Sequence, residues 1–431
     1  MRSPTAHDVV AVEGPATGIF DRASAWLEAR RWSIALVAVP LVPLVLLGYG
    51  TDVDVANVRA AGASLRDGGY TYSRPPGSLP HEAAIAVLDW LGGSVAADLA
   101  SLAMAMLLLV AFVGVLQRAG ARHATAAALV VAANPFFIIA ATSLADHVWA
   151  LALLVVGIWL AQSKRPVLAG IGFGLSIATR LATGVLVAAY LVTAFRGCAE
   201  RRSRRPTLVT AAAAGAVALA CFVPAWLSVG RSREFLRNEL QFISVANSAG
   251  RWLVKNELVV GIPAWIVLLV GAPILWAGAR RWRTSPLVGF AVLGAIGSEL
   301  IYLRFPWKLA HLLPVLVCVV IVLALSPRVS ARYLFVLAAA QLLWGFVGLR
   351  VFVPDVTGSA RHAQIDVALT AGPLLNDVRC RADGFGDVAD SDPERAQADS
   401  LAAWACTNSW WDGGATDDPR GASSPSKEPG R

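Results

Sequence analysis

The sequence predicts an all-α polytopic membrane protein with about eleven transmembrane helices. Its 431 residues are 56% hydrophobic and only 15% charged, whereas a soluble domain usually carries about 25% charged residues. Apolar runs of roughly 20 residues, long enough to cross a bilayer, recur along the chain. The net charge of +8 is spread over short basic clusters between these runs, which is typical of membrane topology and does not indicate a nucleic-acid partner.

The predicted spans follow the apolar runs in chain order. The first run lacks the small-residue cleavage site of a signal peptide, so we expect it to be a retained helix. Arg180 interrupts the fifth and sixth runs, which could alternatively form one long span. That alternative would move the arginines at 196–205 to the outer face, which the positive-inside rule disfavours. The predicted spans are 33–50, 97–116, 124–142, 147–162, 166–180, 182–196, 207–228, 258–277, 287–302, 309–325 and 333–353.

The basic clusters also predict the orientation: the N-terminus is cytoplasmic and the C-terminus is extracytoplasmic. In the second of two long outer loops, apolar residues at helical spacing predict an amphipathic surface helix around 235–243. The predicted organisation is a cytoplasmic segment 1–32, a transmembrane domain 33–353 with outer loops 51–96 and 229–257, a small extracytoplasmic element 354–412, and a disordered tail 413–431.

Two cysteines, Cys380 and Cys406, are predicted to lie outside the membrane. An oxidising compartment favours a disulfide between them, although spacing alone leaves two free thiols as the alternative. The nearby Trp404, Trp410 and Trp411 either anchor this element at the membrane interface or form its core.

The short acidic segment after the first span is the first candidate site. Asp52 and Asp54 face the same side if the segment is extended, whereas a helix would separate them. One carboxylate could then act as a general base while the other orients an acceptor or holds a divalent metal. The alternative is a polar loop that simply ends the first helix.

A glycine pair and a proline pair follow and predict tight turns. These turns bring Tyr70, Tyr72 and Arg74 towards the first carboxylates. The planar guanidinium of Arg74 suits a phosphate group. A salt bridge from Arg74 to Asp67 or Glu82 is the alternative.

Further along the chain, Asp146 and His147 stand at the outer start of the fourth predicted span. A carboxylate beside an imidazole can bind a metal or transfer a proton. The alternative for Asp146 is an N-cap, since an aspartate at a helix start accepts free backbone N–H groups.

Three cations complete the candidate set. Arg180 lies at a depth where it should face protein, water or an anionic headgroup. Arg304 and Lys308 belong to an outer cationic and aromatic rim and could neutralise a lipid phosphate, with snorkelling at a helix end as the alternative.

Taken in order, these motifs resemble the GT-C superfamily of membrane glycosyltransferases, especially the bacterial mannosyl- and arabinofuranosyltransferase-like branch. Asn57 stands where several relatives have Tyr, and Arg74 replaces the usual acidic residue before the proline pair. The matching segments are 52–55, 65–70, 74–77, 134–146, 169–180 and 302–314.

The resemblance implies a helical bundle with an outward, lipid-accessible cavity, and inverting transfer of a sugar from a polyprenyl-phosphate donor to a glycan or glycolipid acceptor. A transporter or lipid flippase, and a noncatalytic assembly factor, are the competing hypotheses. The implied roles are base for Asp52 or Asp54, second acid for Asp146, phosphate contacts for Arg74, Arg180, Arg304 and Lys308, and sugar or acceptor contacts for Tyr70, Tyr72 and His147.

Overall fold

The computed structural model describes residues 19–29, 31–52, 54–197, 201–230, 245–304, 309–352, 366–385, 398–399, 402–403 and 406. The predicted surface helix at 235–243, the three tryptophans near Cys406, Lys308 and the tail 413–431 lie outside these residues. The elements are α1 Ile19–Ala29, α2 Ala38–Val45, α3 Val55–Arg66, α4 Leu79–Arg118, α5 Ala124–Ala132, α6 Pro135–Ala141, α7 Asp146–Gln162, α8 Pro166–Thr179, α9 Gly184–Gly197, α10 Arg201–Ser228, α11 Val245–Val260, α12 Ile262–Val270, α13 Ala272–Ala279, α14 Pro286–Arg304, α15 Leu313–Ala324, α16 Ala331–Phe346, β1 Val347–Phe352, β2 Asp366–Ala371 and α17 Pro373–Cys380.

Within the described residues, three helices are long and apolar enough to cross a membrane, or up to five if each sharply bent pair is one span. The bent pairs are α5 with α6, at 77°, and α12 with α13, at 66°. Shorter apolar helices, including α7, α8 and α15, accompany them. A membrane protein is therefore the right class, while the number of about eleven spans stays a prediction.

The segment predicted as the first outer loop, 51–96, is largely helical. It contains α3 and the first part of the 40-residue helix α4. These two helices pack closely, because Gly62 has no side chain where the backbone of Ala86 approaches. Gly92 and Gly93 leave helical geometry inside α4, so the predicted span 97–116 is the part of α4 that follows this break.

The glycines of α8 let this helix pack closely against two neighbours, α7 and α10. A Cβ on Gly170 would lie 2.6 Å from the Thr210 carbonyl oxygen on α10, and one on Gly174 would lie 2.7 Å from the Ala214 carbonyl oxygen. Gly172 faces the opposite neighbour, α7. Small residues let transmembrane backbones approach closely. The glycine-rich part of the predicted motif at 169–180 is therefore a helix-packing surface.

The turn between α2 and α3 is built on glycines in the left-handed region. Gly48 has a φ of 85° and Gly50 a φ of 97°. A Cβ on Gly50 would lie 2.4 Å from the Cβ of Ser143, so the turn packs directly on the connection between α6 and α7. There the amide of Leu144 donates to the Tyr49 carbonyl oxygen at 3.0 Å.

The prediction of an all-α protein is wrong in the C-terminal region. The last predicted span, 333–353, ends as a helix at Phe346, and the chain continues as β1, which pairs antiparallel with β2 from Val347–Ala371 to Phe352–Asp366. The hydrogen bonds between β1 and β2 pair backbone N–H and C=O groups that lie beyond the end of α16 and have no partner in that helix. Cys380, at the end of α17, forms a disulfide with Cys406.

We predict that Gly50→Ala destabilises the protein more than Gly68→Ala does. Both glycines have a positive φ, but nothing lies within 4 Å of a Cβ placed on Gly68. Both variants should lose about 1–2 kcal/mol from the left-handed backbone. Gly50→Ala should lose about 1–3 kcal/mol more from overpacking against Ser143.

Reversible unfolding in mixed micelles measures the two free energies. Equal losses in the two variants would contradict the close packing of this turn on the connection between α6 and α7.

Candidate functional site

The two acidic residues of the first candidate segment are arranged by the start of α3. The amide of Asp54 donates to Oδ1 of Asp52 at 2.8 Å, and the amide of Val55 donates to the Asp52 carbonyl oxygen at 3.1 Å. Asp54 is therefore the N-cap residue of α3, and its backbone is αR rather than extended. The extended geometry that would place both carboxylates on one side is therefore not found at Asp54.

Four charged side chains from separate segments form a chain of ion pairs, which we call the ion-pair cluster: Asp54, Arg74, Asp146 and Arg180. Nη1 of Arg74 lies 3.0 Å from Oδ2 of Asp54, and Nη2 of Arg74 contacts Oδ2 of Asp146. Nη1 of Arg180 lies 2.5 Å from Oδ1 of Asp146. The cluster joins four sequence-predicted residues that are up to 126 positions apart in the chain.

The alternatives for Arg74 and Asp146 are wrong. Arg74 pairs with Asp54 and Asp146 in preference to Asp67 or Glu82. Asp146 is the first residue of α7 and follows the N-cap Ala145, so its carboxylate is engaged by arginines and not by its own helix start.

The four side chains of the ion-pair cluster differ in their exposure to solvent. The side chain of Asp146 is 3% exposed and that of Arg180 is 14% exposed, whereas those of Asp54 and Arg74 are 28% and 26% exposed. Asp146 is thus the buried centre of the cluster, and the pair of Asp54 and Arg74 forms its open side. A group that enters from outside would meet that pair first.

The two guanidinium groups oppose each other electrostatically. Burial and the positive charge of Arg180 lower the pKa of Arg74, while the charges of Asp54 and Asp52 raise it. Arginine stays charged in proteins, so the physical consequence is a concentration of positive charge around one buried carboxylate. An additional anion beside Arg74 and Arg180 would lower the electrostatic energy of the pair.

Glu82, on the first turn of α4, holds the turn that carries Arg74. It accepts hydrogen bonds from the amide and the hydroxyl of Ser73, at 2.8 and 2.5 Å, and from the hydroxyl of Tyr70. Burial and Glu82 raise the pKa of Tyr70 well above its ordinary value. The structure therefore places Tyr70 in the support of this turn, while Tyr72 is half-buried beside Gly77.

A further hydrogen bond joins the turn that carries Arg74 to the segment that carries Arg180. The hydroxyl of Ser78, the N-cap of α4, donates to the Thr179 carbonyl oxygen at 2.6 Å. Arg180 follows at the break between α8 and a short 3-10 turn, with an extended backbone. The interruption predicted from the sequence is thus the feature that turns Arg180 towards Asp146.

The remaining sequence-predicted residues lie at different places. Nδ1 of His147 lies 3.4 Å from Oδ1 of Asp146, and its ring centroid is 5.5 Å from that of His311. Arg304 is the last residue of α14 and its side chain is exposed. Lys308 is outside the described residues, so the cationic rim is represented here by Arg304 and His311.

The described side chains around Asp52 and Asp54 do not form a typical set of metal ligands. In the part of the chain that the structure describes, no three His, Cys, Asp or Glu side chains come together as a metal site would need. Asp54 is paired with Arg74 and Asp52 accepts the amide of Asp54. We therefore derive no step through a metal at Asp52 and Asp54.

A second group of buried charges was not among the sequence-predicted site residues: Asp98, Asp377 and Arg381. The side chains of Asp98 and Arg381 are fully buried, and Arg381 lies 3.6 Å from Asp98 and 3.5 Å from Asp377. The sequence places Asp98 inside an apolar run, and an acidic residue there requires a partner. The sequence does not show that this partner is Arg381, because Arg381 is distant in the chain.

The fold has known relatives among solved structures. ArnT from Cupriavidus metallidurans bound to undecaprenyl phosphate aligns with a TM-score of 0.51 and 18% identity, covering 74% of this chain and 63% of ArnT. Apo ArnT from the same organism aligns with a TM-score of 0.49 and 18% identity, covering 72% of this chain and 61% of ArnT. The chain thus spans less than two thirds of the length of ArnT. No protein-family model and no curated protein sequence matches it.

The chain is therefore similar in fold to ArnT. At this identity the likeness establishes the architecture, and the activity has to be argued from the side chains of the site.

We predict strong coupling between Asp146 and Arg180. Removing one partner of a buried ion pair leaves an uncompensated charge. A double-mutant cycle of Asp146→Asn and Arg180→Met, measured by unfolding in mixed micelles, should give a coupling of about 1–3 kcal/mol.

The matched control is the exposed pair of Arg379 and Asp383, at 4.0 Å, for which the coupling should stay below about 0.5 kcal/mol. Additive effects of the Asp146 and Arg180 substitutions would show that the pair does not stabilise the fold.

Proposed function

We propose that this protein is an inverting glycosyltransferase that moves a sugar from a polyprenyl-phosphate donor to a cell-envelope glycan or glycolipid acceptor at the outer face of the membrane. The observation that carries this proposal is the ion-pair cluster, in which two arginines converge on one buried carboxylate beside a half-exposed aspartate. The shared fold with ArnT, solved with bound undecaprenyl phosphate, supports it.

The arginines suit the donor phosphate. A guanidinium group offers paired N–H donors that match phosphate oxygens. Arg74 and Arg180 both contact Asp146, which holds them close together in spite of their repulsion. In this proposal they neutralise the charge that develops on the phosphate as it leaves, and Arg304 and Lys308 supply further phosphate contacts at the membrane surface.

The general base is Asp52 or Asp54. Asp54 is 28% exposed and Asp52 is half-buried, so both can be reached by an acceptor. Asp146 is less suited to take a proton, because two arginines engage its buried carboxylate and stabilise its charged form. We assign Asp146 the role of second acid, which positions the cations and does not exchange protons.

The proposed reaction is a single displacement at the anomeric carbon. The base removes the proton of the acceptor hydroxyl, and the acceptor oxygen forms a bond to the anomeric carbon. The bond from that carbon to the phosphate oxygen breaks, and polyprenyl phosphate leaves with the bonding electron pair. Positioning, base catalysis and neutralisation of the leaving phosphate are the contributions that the protein supplies.

Contacts to the sugar and the acceptor belong to side chains around the cluster. His147 borders Asp146, and Tyr72 is half-buried in the turn that carries Arg74. Tyr70 supports this turn through Glu82, so its contribution to sugar binding is indirect.

We predict that Asp52→Asn and Asp54→Asn lower sugar transfer from a polyprenyl-phosphate donor in proteoliposomes. The variant that removes the base should lose about 100- to 10,000-fold in rate, and the double variant should be inactive. Asp67→Asn is the matched control, because Asp67 is exposed at the C-terminal end of α3 and its replacement should leave the rate unchanged.

Full activity in a folded double variant would rule out these aspartates as the base. Absence of transfer by the wild-type protein, together with flux of the polyprenyl-linked sugar across the proteoliposome bilayer, would favour a transporter or flippase instead.

A further inference from the structure

Arg381 directly follows α17, and its side chain lies inside the helical bundle. Its guanidinium is fully buried. It donates to the carbonyl oxygens of Leu44 and Gly48 at 2.9 and 2.8 Å, and to that of Leu47 at 3.4 Å. It also donates to the carbonyl oxygen of Thr142 at 2.7 Å and to the hydroxyl of Thr142 at 3.3 Å. One side chain therefore binds two backbone segments that are about 90 residues apart.

These two segments carry the acids of the proposed site, and we call them the acid-bearing segments, 44–54 and 142–146. The first ends α2 and leads through the glycine turn to Asp52 and Asp54. The second follows α6 and leads to Asp146. Direct contact between the segments includes the hydrogen bond from the Leu144 amide to the Tyr49 carbonyl oxygen. Arg381 thus bridges them from a third part of the chain.

Asp377 extends the same bridge towards the catalytic aspartates. Its Oδ1 accepts a hydrogen bond from the hydroxyl of Thr51 at 2.7 Å, and Thr51 is adjacent to Asp52. Its other oxygen lies 3.5 Å from Arg381, one helical turn further on. The disulfide between Cys380 and Cys406 is next to Arg381 and constrains the chain that follows it.

We propose that Arg381 and Asp377 are positioning residues, which hold the two acid-bearing segments at the spacing that the ion-pair cluster requires. This role rests on the function proposed above. The C-terminal element, residues 366–385, then acts on catalysis through its contacts with backbone, and neither residue touches the reacting atoms.

The geometry separates this role from simple anchoring of the C-terminal element. An anchor needs only one strong contact, and Asp98 on α4 already supplies a buried charge partner for Arg381 at 3.6 Å. The five acceptor atoms that the guanidinium contacts lie instead in the acid-bearing segments, and a displacement of about 1 Å there can cost about 100-fold in rate.

The test uses the full-length protein in nanodiscs with three variants. Arg381→Lys keeps the positive charge between Asp98 and Asp377 but cannot reach all of the carbonyl oxygens. Thr51→Val removes only the contact to Asp377. Arg379→Ala is the matched control, because Arg379 is 77% exposed and lies two residues before Arg381.

Two readouts are measured: hydrogen–deuterium exchange of the peptides covering 44–54 and 141–147, and kcat and KM for transfer from a polyprenyl-phosphate donor. We expect Arg381→Lys to speed exchange in both peptides and Thr51→Val in the first. We expect kcat to fall about 10- to 100-fold with a smaller change in KM. Arg379→Ala should match the wild type in both readouts.

Exchange and kcat in Arg381→Lys that equal those of Arg379→Ala would overturn the inference. So would faster exchange spread over all the helices, since that outcome indicates a general loss of stability. If the wild-type protein shows no sugar transfer, the proposed function fails, and the exchange of the two peptides still decides whether Arg381 and Asp377 position them.

Discussion

The buried carboxylate of Asp146 is the point at which segments from separate parts of this protein meet. Two arginines from different parts of the chain contact it, and one of them also pairs with Asp54. Loss of one partner of a buried ion pair costs about 3–5 kcal/mol, because the charge that remains has no solvent to stabilise it. The same interaction therefore holds these segments together and concentrates positive charge around one buried carboxylate.

The ion-pair cluster works only because the backbone around it is held by other means. Glycines with positive φ allow the end of α2 to pack on Ser143, and Glu82 fixes the turn of Arg74 through Ser73 and Tyr70. Ser78 then ties that turn to the segment before Arg180. The hydrogen bonds of Glu82 and Ser78 satisfy polar groups that would otherwise be buried without a partner.

Arg381 likewise contacts both buried charges and backbone groups. Its guanidinium lies beside Asp98 and Asp377 and at the same time caps carbonyl oxygens at the ends of α2 and α6. Helix ends leave carbonyl groups without intrahelical partners, and in an apolar protein a buried arginine can supply several donors at once. The C-terminal element and the transmembrane helices are consequently one structural unit around the site.

The sequence by itself determined the membrane class, the break at Arg180 and the residue types of the site, because apolar length, charge and turn chemistry are local properties. The tertiary structure alone decided that Arg74 pairs with Asp54 and Asp146, that Asp54 is the N-cap of α3, and that β1 and β2 end the all-α pattern. It also assigned Arg381 to Asp98. Such pairings depend on which distant segments meet, and a buried charge in a sequence shows that a partner is needed without showing which residue it is.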